Sequence, residues 1–531
     1  MNLVSLLDQR AAEQPDIPAL IDSQKGIDRI VTYAQLAQRV SAGSALLESV
    51  GLRKGMTILA FHPVSIELYE FLLAAFHRGL QVMLADPSAG RKFLNDCCAR
   101  LQPDAFLGSW KANYLRLAVP ALRKIPANFT VGPWFPGTHR WRTCVGEAKM
   151  VNVDDDHPAL VTFTSGSTGI PKAAVRSHGF LLAQHQTLSQ SLHFAPGEVD
   201  LITLPVFVLA NLASGMTSVL ADTDLAHPGN PNATNILNQC LRHRVTRCAA
   251  SPAFFEGLLN SPTGIPPFQQ LHTGGAPVFP DLLDRLRSFL PKARIESVYG
   301  STEAEPIAHF SADAWDEATR SLTRRGAGLC SGKPVPQIQL RVIADQSGIP
   351  LGPMASDEFD ALQMPTGQAG EIVVAGDHVL QGYLGGIGNE ETKIQVDQQI
   401  WHRTGDAGWI DEHDRVWLLG RCAAKLPKSP APDGLPNNAL LYPFAIECSL
   451  RYSFPNIRMA ALEWKGQRTL VIGAQVNPQT LDAIRAASST LGIHQWFCFD
   501  ALPLDRRHNA KIDYPALTEM LNSHEAETRK L

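Results

Sequence analysis

Thr164-Ser165-Gly166-Ser167-Thr168-Gly169-Ile170-Pro171-Lys172 gathers hydroxyls and glycines into six residues and closes on a proline and a lysine. The apolar run 159–163 before it reads as a buried strand, and Ala173-Ala174-Val175 after it as a short second strand. A loop of this composition presents backbone N–H groups, several hydroxyl donors and one cation, which are the parts that hold a polyphosphate. It is not a Walker A loop, because that pattern needs a Gly-Lys-Ser/Thr ending and here two residues separate Gly169 from Lys172. The competing reading is an ordinary Ser/Gly turn.

Strand–helix alternation surrounds this loop on both sides. Helical spacing at Val4, Leu7 and Ala11 stops near Pro15. Thr32-Tyr33-Ala34-Gln35 is a capping box ahead of apolar Leu36, Val40, Leu46 and Leu47, and Gly51 closes the helix. Residues 56–61, 65–78 and 80–85 read as strand, helix, strand, a crossover that implies a parallel sheet. Residues 90–150 read as helix, short strand and a Pro/Trp-rich surface segment around 133–141. Downstream, strands are expected at 200–204, 247–250, 270–273 and 294–298, and helices at 180–192, 209–220, 232–244, 253–260 and 280–290. The loops 164–172, 274–277 and 299–303 each follow a strand, and in open α/β sheets ligands bind beyond the carboxyl ends of strands. From about Gly326 the texture changes to short strands at 339–343, 371–375, 409–410 and 416–419, with Asp and Gly between them. Beyond Arg421 a Pro/Gly/Asn-rich linker, 426–438, precedes a compact α+β tail.

Composition bounds the function. A chain of 531 residues exceeds one core and implies two or three domains. A net charge of −4 gives no reason to expect a nucleic-acid partner. Nine scattered cysteines without a C-x-x-C pair favour reduced thiols and a cytoplasmic location over disulfides or zinc, and the adjacent Cys97-Cys98 pair reads as helix packing. No run of 18 uncharged apolar residues suggests a transmembrane helix, and the N-terminal apolar run breaks too early for a signal peptide.

Two further stretches carry chemistry. Tyr299-Gly300-Ser301-Thr302-Glu303 offers an aromatic face for a base, a hydroxyl, and a carboxylate suited to Mg²⁺, although Glu303 alone reads as a solvated acid. Trp401-His402-Arg403-Thr404-Gly405-Asp406-Ala407-Gly408 sets Asp406 between glycines on an expected hairpin, where it could accept both hydroxyls of a ribose. Alone it reads as a turn aspartate. His178 reads as a packed or backbone-bonded histidine before a catalytic base.

Taken in order, these segments resemble the acyl-adenylate-forming superfamily of acyl-CoA synthetases, luciferases and peptide-synthetase adenylation domains. The matching stretches are 164–172, 272–277, 298–303, 370–383, 404–406, Gly420-Arg421 and Lys511, spread over nearly the whole chain. The resemblance implies an α/β fold. Its large N-terminal domain, 1–420, would combine parallel and mixed sheets with helices and include the β-rich subdomain at about 326–420. A small mobile α+β C-terminal domain, 421–531, would follow. It implies ATP and Mg²⁺, and a small-molecule carboxylic acid of fatty or hydrophobic kind as substrate. Thr164, Ser165, Gly166, Ser167, Thr168, Gly169 and Lys172 would grip the β- and γ-phosphates. Gly274, Gly275 and Ala276 would line the adenine and acyl pockets, with Tyr299 beside Gly300 stacking on adenine. Thr302 would contact the α-phosphate or substrate carboxylate, Glu303 would bind Mg²⁺, and Asp406 would hold the ribose with Arg421 nearby. Lys511, in Asp505-Arg506-Arg507-His508-Asn509-Ala510-Lys511, would reach the carboxylate and α-phosphate during adenylation.

Departures from the family pattern narrow the second step. The segment Leu204-Pro205-Val206-Phe207-Val208-Leu209 has valine where CoA-ester-forming members often have histidine after the aromatic. The expected hinge Asp or Lys is absent from Gly420-Arg421-Cys422-Ala423-Ala424, and the insertion 426–438 replaces a glycine-rich turn. The Arg-His-Asn-Ala-Lys context of Lys511 and the 207–217 segment, with Gly215-Met216-Thr217, resemble olefin-pathway β-lactone synthetases. Those enzymes activate a long-chain β-hydroxy acid and close the ring without CoA. Transfer to CoA or a carrier-protein thiol, with pathway enzymes as partners, is the alternative. A nucleotide-binding protein without turnover is a third reading, opposed by the joint presence of Lys172, Glu303, Asp406 and Lys511.

Overall fold

The computed structural model describes residues 1–85, 90–141, 146–165, 171–430, 434–504 and 512–528, without the side chains of Thr164, Ser165 and 524–528. The chain divides into two compact units. One comprises Met1–Thr223, Thr234–Ala249 and Asp377–Asn389, and the other Asp224–Ala233, Ala250–Gly376 and Glu390–Leu531.

The first unit is built on a seven-stranded sheet. In spatial order its strands are His139–Arg140, Ala127–Val131, Ala105–Ser109, Thr57–Phe61, Gln81–Leu84, Pro158–Ser165 and Pro171–Ser177. All neighbours pair in parallel except the last two strands, which form an antiparallel hairpin. The helix Ile66–His77 makes the crossover between Thr57–Phe61 and Gln81–Leu84. Ser65 caps it, and every one of its residues is buried, as a helix covering a parallel sheet requires. Thr32 forms the expected capping box at the start of Tyr33–Ser49. Cys97 and Cys98 are buried on the helix Gly90–Leu101.

A second parallel set in this unit joins Val199–Ile202, Thr217–Leu220 and Pro18–Gln24. It corrects the expected helix at 209–220. The helix is Phe207–Ser214, it ends at Gly215 with φ +76°, and Thr217–Leu220 is a fully buried strand. An apolar run buried on all sides has no periodicity to separate helix from strand, and the left-handed glycine was the only local signal.

In the second unit Gln270–Gly274 runs parallel to Arg294–Ser301, and antiparallel pairing then takes over through Ala304–Ser311, Leu329–Pro334, Val416–Arg421, Gln399–Ile410, Gly370–Ala375 and Gln339–Ile343. Two expectations are corrected. Tyr299, Gly300 and Ser301 belong to a strand, only Thr302 and Glu303 turn, and the return strand Ala304–Ser311 follows at once. Asp406 sits inside the twelve-residue strand Gln399–Ile410, not in a turn; the chain reverses at 411–415, where Asp414 has φ +59°. Long β pairing overrode the local glycine signals in both places. The tail packs Met459–Trp464, Gln467–Gly473 and Gln495–Phe499 into a small sheet. Among the described residues no helix is long and apolar enough to cross a membrane.

One buried ion pair anchors the sheet that carries Asp406. Arg403 donates to Glu371 Oε2 from Nε at 3.0 Å and Nη2 at 2.6 Å, and its remaining donors reach the carbonyls of Ile349 and Gln346. Burial alone would push the Glu371 carboxyl up, and Arg403 opposes it. Arg403→Met leaves that carboxylate uncompensated and should cost about 3–5 kcal/mol in urea melts. The double variant Arg403→Met/Glu371→Leu should recover most of the loss.

Candidate active site

The second unit encloses a cavity of about 440 Å³ lined by Gly275, Ala276, Tyr299, Gly300, Asp406 and Arg421, among others. Each is delivered by the end or interior of a strand. Gly274 ends its strand directly opposite Val298, and a Cβ there would lie 2.7 Å from the Val298 carbonyl oxygen. Gly275 then takes φ +77°, a left-handed conformation that turns the chain away and leaves the cavity wall without a side chain.

The polar centre is a three-residue contact. Asp406 and Arg421 are direct cross-strand partners. Arg421 Nη1 lies 3.1 Å from Asp406 Oδ1 and also donates to the Thr404 carbonyl at 3.1 Å. Tyr299 Oη donates to Asp406 Oδ2 at 2.8 Å. The Thr404 hydroxyl accepts from the Asp406 N–H at 3.0 Å and donates to the Ile372 carbonyl at 2.8 Å, which holds the bulge carrying the aspartate. Burial, and then the Asp406 charge, drive the Tyr299 phenol well above its ordinary range, so it stays a hydrogen-bond donor. Asp406 in turn raises the Arg421 guanidinium.

Thr302 and Glu303 stand at the turn just beyond Ser301, and neither lines the cavity. Glu303 faces Lys393, a buried lysine on Lys393–Val396 whose Nζ lies 3.2 Å from His402 Nδ1. Burial pushes the Lys393 ammonium down to about 7, and the Glu303 charge pulls against that. Among the described residues no group of three or more His, Cys, Asp or Glu could hold a metal by itself. His272 points away from the cavity, with Nε2 3.3 Å from Glu296 Oε2.

Lys172 belongs to the first unit, on Pro171–Ser177, and is buried. Its ammonium lies 5.9 Å from the Tyr383 ring centroid, and its stem packs over Gly388, where a Cβ would meet Cδ and Cε at 2.7 Å. Arg100 ties the same strand to the 384 segment by donating to the carbonyls of Pro171 and, at 2.9 Å, Leu384. His178 accepts the Leu3 N–H at Nδ1 and stacks on His157, and burial lowers its ring to about 4, so it is a packing histidine. Gly166, Ser167, Thr168, Gly169 and Lys511 lie outside the described residues, as do the side chains of Thr164 and Ser165.

Sequence reading passed over Glu447 and Tyr514, which also line the cavity. Glu447 stands on Pro443–Ser453 and accepts the Ala461 N–H at 2.9 Å and the Tyr514 hydroxyl. Burial raises its carboxyl from 4.5 to about 7, and these donors only partly oppose the shift. The one available signal was a carboxylate spaced among apolar residues of an amphipathic helix, which is too common to single out. Because the folded state holds this proton more tightly, the linked stability is complete below about pH 4.5 and is lost as pH rises through about 7. Glu447→Gln should remove that pH dependence, which amounts to at most about 3 kcal/mol in urea melts on either side of the interval.

Comparison with known proteins converges on one group. A family model for AMP-binding enzymes matches residues 7–384. An olefin beta-lactone synthetase of Stenotrophomonas maltophilia is 30% identical, and one of Xanthomonas campestris pv. campestris 29%; each alignment covers 96% of both chains. The fold matches the amide bond synthetase McbA from Marinactinospora thermotolerans with a TM-score of 0.76 at 18% identity, over 98% of this chain and 99% of that one.

Proposed function

The chain belongs to the AMP-binding enzyme family, and from that premise we propose that it activates a fatty β-hydroxy acid and closes it to a β-lactone. The first step is ATP-dependent formation of an acyl-adenylate from a carboxylic acid, with release of pyrophosphate. The observation that carries its assignment to this cavity is the Tyr299–Asp406–Arg421 contact. Each oxygen of Asp406 is held by one donor and keeps lone-pair capacity for a ribose hydroxyl. With its hydroxyl tied to Asp406, the Tyr299 ring has a set plane on which adenine can stack, beside the side-chain-free Gly275.

The remaining roles follow from chemistry. Lys172 and the hydroxyls and N–H groups of 164–169 bind the β- and γ-phosphates, and Thr302 meets the α-phosphate or the substrate carboxylate. Glu303 is a hard oxygen donor suited to Mg²⁺, which commonly takes one or two carboxylates with substrate phosphates. When bound, the ion supplies neutralisation of phosphate charge. Lys511 brings a cation to the carboxylate and α-phosphorus, two anionic partners that must meet. It does so from a mobile domain, 421–531, entered through the linker 426–438, so its charge can be withdrawn after the first step.

For the second step, the β-hydroxyl oxygen attacks the acyl carbon, the bond to the AMP phosphate breaks, and the hydroxyl proton is released. Supporting this over a thioester are the two synthetases matched along almost the whole chain and the altered thioester features. Val208 is completely buried, and no acid or lysine occupies the positions just after Arg421, where Cys422 is buried and donates its N–H to the Gly405 carbonyl. The expected setting is the cytoplasm, with pathway enzymes as partners.

Asp406→Asn should raise the KM for ATP about tenfold, equivalent to ~1.4 kcal/mol of binding, in a pyrophosphate-release assay. Lys511→Ala should abolish most pyrophosphate release while MgATP binding by calorimetry stays within a few-fold. The function itself is tested with MgATP and a long-chain 3-hydroxy acid, with and without CoA. AMP and a product one water lighter than the acid, indifferent to CoA, are expected. A CoA-dependent thioester would overturn the lactone step and leave adenylation standing.

A further inference from the structure

Residues 105–146 contain no Asp or Glu, although the chain as a whole carries a net charge of −4. Two connections of this stretch, those that follow Ser109 and Val131, meet at one end of the seven-stranded sheet. Ala105–Ser109 and Ala127–Val131 are adjacent and parallel, with Ser109 opposite Val131, so the chain leaves both strands at the same edge. There Trp110 and Tyr114 pack edge-on with ring centroids 6.2 Å apart, and Tyr114 meets Phe135 at 5.1 Å. A Cβ on Gly132 would lie 3.8 Å from Trp110 Cδ1, so the two loops touch.

These aromatic side chains are not a core. Trp110 is 39% exposed, Tyr114 54%, Trp134 60% and Leu117 65%. They are nonetheless held in place, since Trp134 Nε1 donates to the Thr138 carbonyl at 3.2 Å. Cations rim the cluster. Lys111 Nζ sits 5.7 Å from the Trp110 ring centroid, Arg123 Nη2 donates to the Leu117 carbonyl at 2.6 Å, and both residues are exposed. Of the two bordering acids, Asp104 stands at the opposite end of its strand and accepts the Thr57 N–H, and Glu147 is exposed beside Ala148, whose N–H and carbonyl bond Ser41 on the helix Tyr33–Ser49. Asp96, on Gly90–Leu101, is half-buried.

We propose that this face docks on an anionic phospholipid surface. Trp110, Tyr114, Leu117 and Trp134 enter the interfacial layer, and Lys111 and Arg123 meet lipid phosphates. Fixed indole and phenol rings with a polar edge suit the headgroup level of a bilayer, where Trp and Tyr concentrate. Exposed cations on a stretch that itself carries no carboxylate match the negative potential of anionic lipids. The strand Pro158–Ser165 is parallel to the same set, so its end at Ser165 lies at the same sheet end as the aromatic cluster. That the docked enzyme draws a fatty acid from the bilayer rests on the function proposed above; the docking does not.

The test is co-sedimentation of the full chain with vesicles of phosphatidylglycerol and phosphatidylcholine, against vesicles of phosphatidylcholine alone. Binding to the anionic vesicles should be at least about tenfold stronger and should fall when ionic strength is raised to about 0.5 M. Leu117→Ser/Trp134→Ser and, separately, Lys111→Glu/Arg123→Glu should each weaken it about tenfold. Far-UV circular dichroism, thermal midpoint and pyrophosphate release with a short-chain acid should stay at wild-type values. Three results would overturn the proposal: absence of binding, equal binding to both vesicle types, or self-association abolished by the same substitutions without vesicle binding. Loss of pyrophosphate release in the wild type, with vesicle binding intact, would count against the proposed function alone.

Discussion

The antiparallel register between Gln399–Ile410 and Val416–Arg421 is the constraint from which the candidate site follows. It sets Asp406 against Arg421 with no loop between them to relax, and it leaves the second carboxylate oxygen facing Tyr299 from another strand of the same sheet. The bulge between Ala407 and Gly408 and the Thr404 hydroxyl fix where along the strand that carboxylate emerges. A one-residue slip would send Asp406 to the other face, because side chains alternate along a strand. Arg403 guards against this slip, since its guanidinium is committed to Glu371 on the adjacent strand.

Charges inside this protein are placed with unequal tolerance. Arg403 and Glu371 satisfy one another, the remaining guanidinium donors find carbonyls, and burial raises the Glu371 carboxyl only against the opposition of Arg403. Among the described residues Glu447 is held by the neutral Ala461 N–H and Tyr514 hydroxyl, and its carboxyl rises to about 7. Lys393 has the Glu303 charge and the His402 ring near it, and its ammonium still falls to about 7. Both lie in the unit that carries the cavity, where an arriving polyphosphate would change the balance of charge. In the first unit Lys172 is treated differently: an aromatic face, a glycine and the Arg100 tether locate it by packing.

The exposed aromatic cluster obeys another rule. Elsewhere many large rings are buried and paired in the core, as Trp409 and Trp417 are at 5.4 Å, although Phe289 is also exposed. Around Trp110 and Trp134 the rings are braced by one another and by a backbone hydrogen bond, then left in contact with solvent. Edge-on ring pairs contribute to holding these loops, while the ring area left in solvent is available to a surface outside the chain.

The linear chain determined a good deal by itself. The capping box at Thr32, the crossover from Thr57–Phe61 to Gln81–Leu84 and the texture change near Gly326 are local patterns whose physical cause acts within a few residues. The candidate residues Gly275, Ala276, Tyr299, Gly300, Asp406 and Arg421 were each legible as short motifs, and they line one cavity. What only tertiary structure decided is how those motifs are carried. Thr217–Leu220 is a strand because neighbours bury it on both sides. Tyr299 and Asp406 lie in strands because pairing partners far away in sequence compensate for the glycines beside them. Glu447 and Tyr514 enter the cavity because a helix and a tail segment 67 positions apart fold against each other. Periodicity and capping are properties of neighbouring residues; strand pairing and buried charge depend on residues the chain brings together only after it has folded.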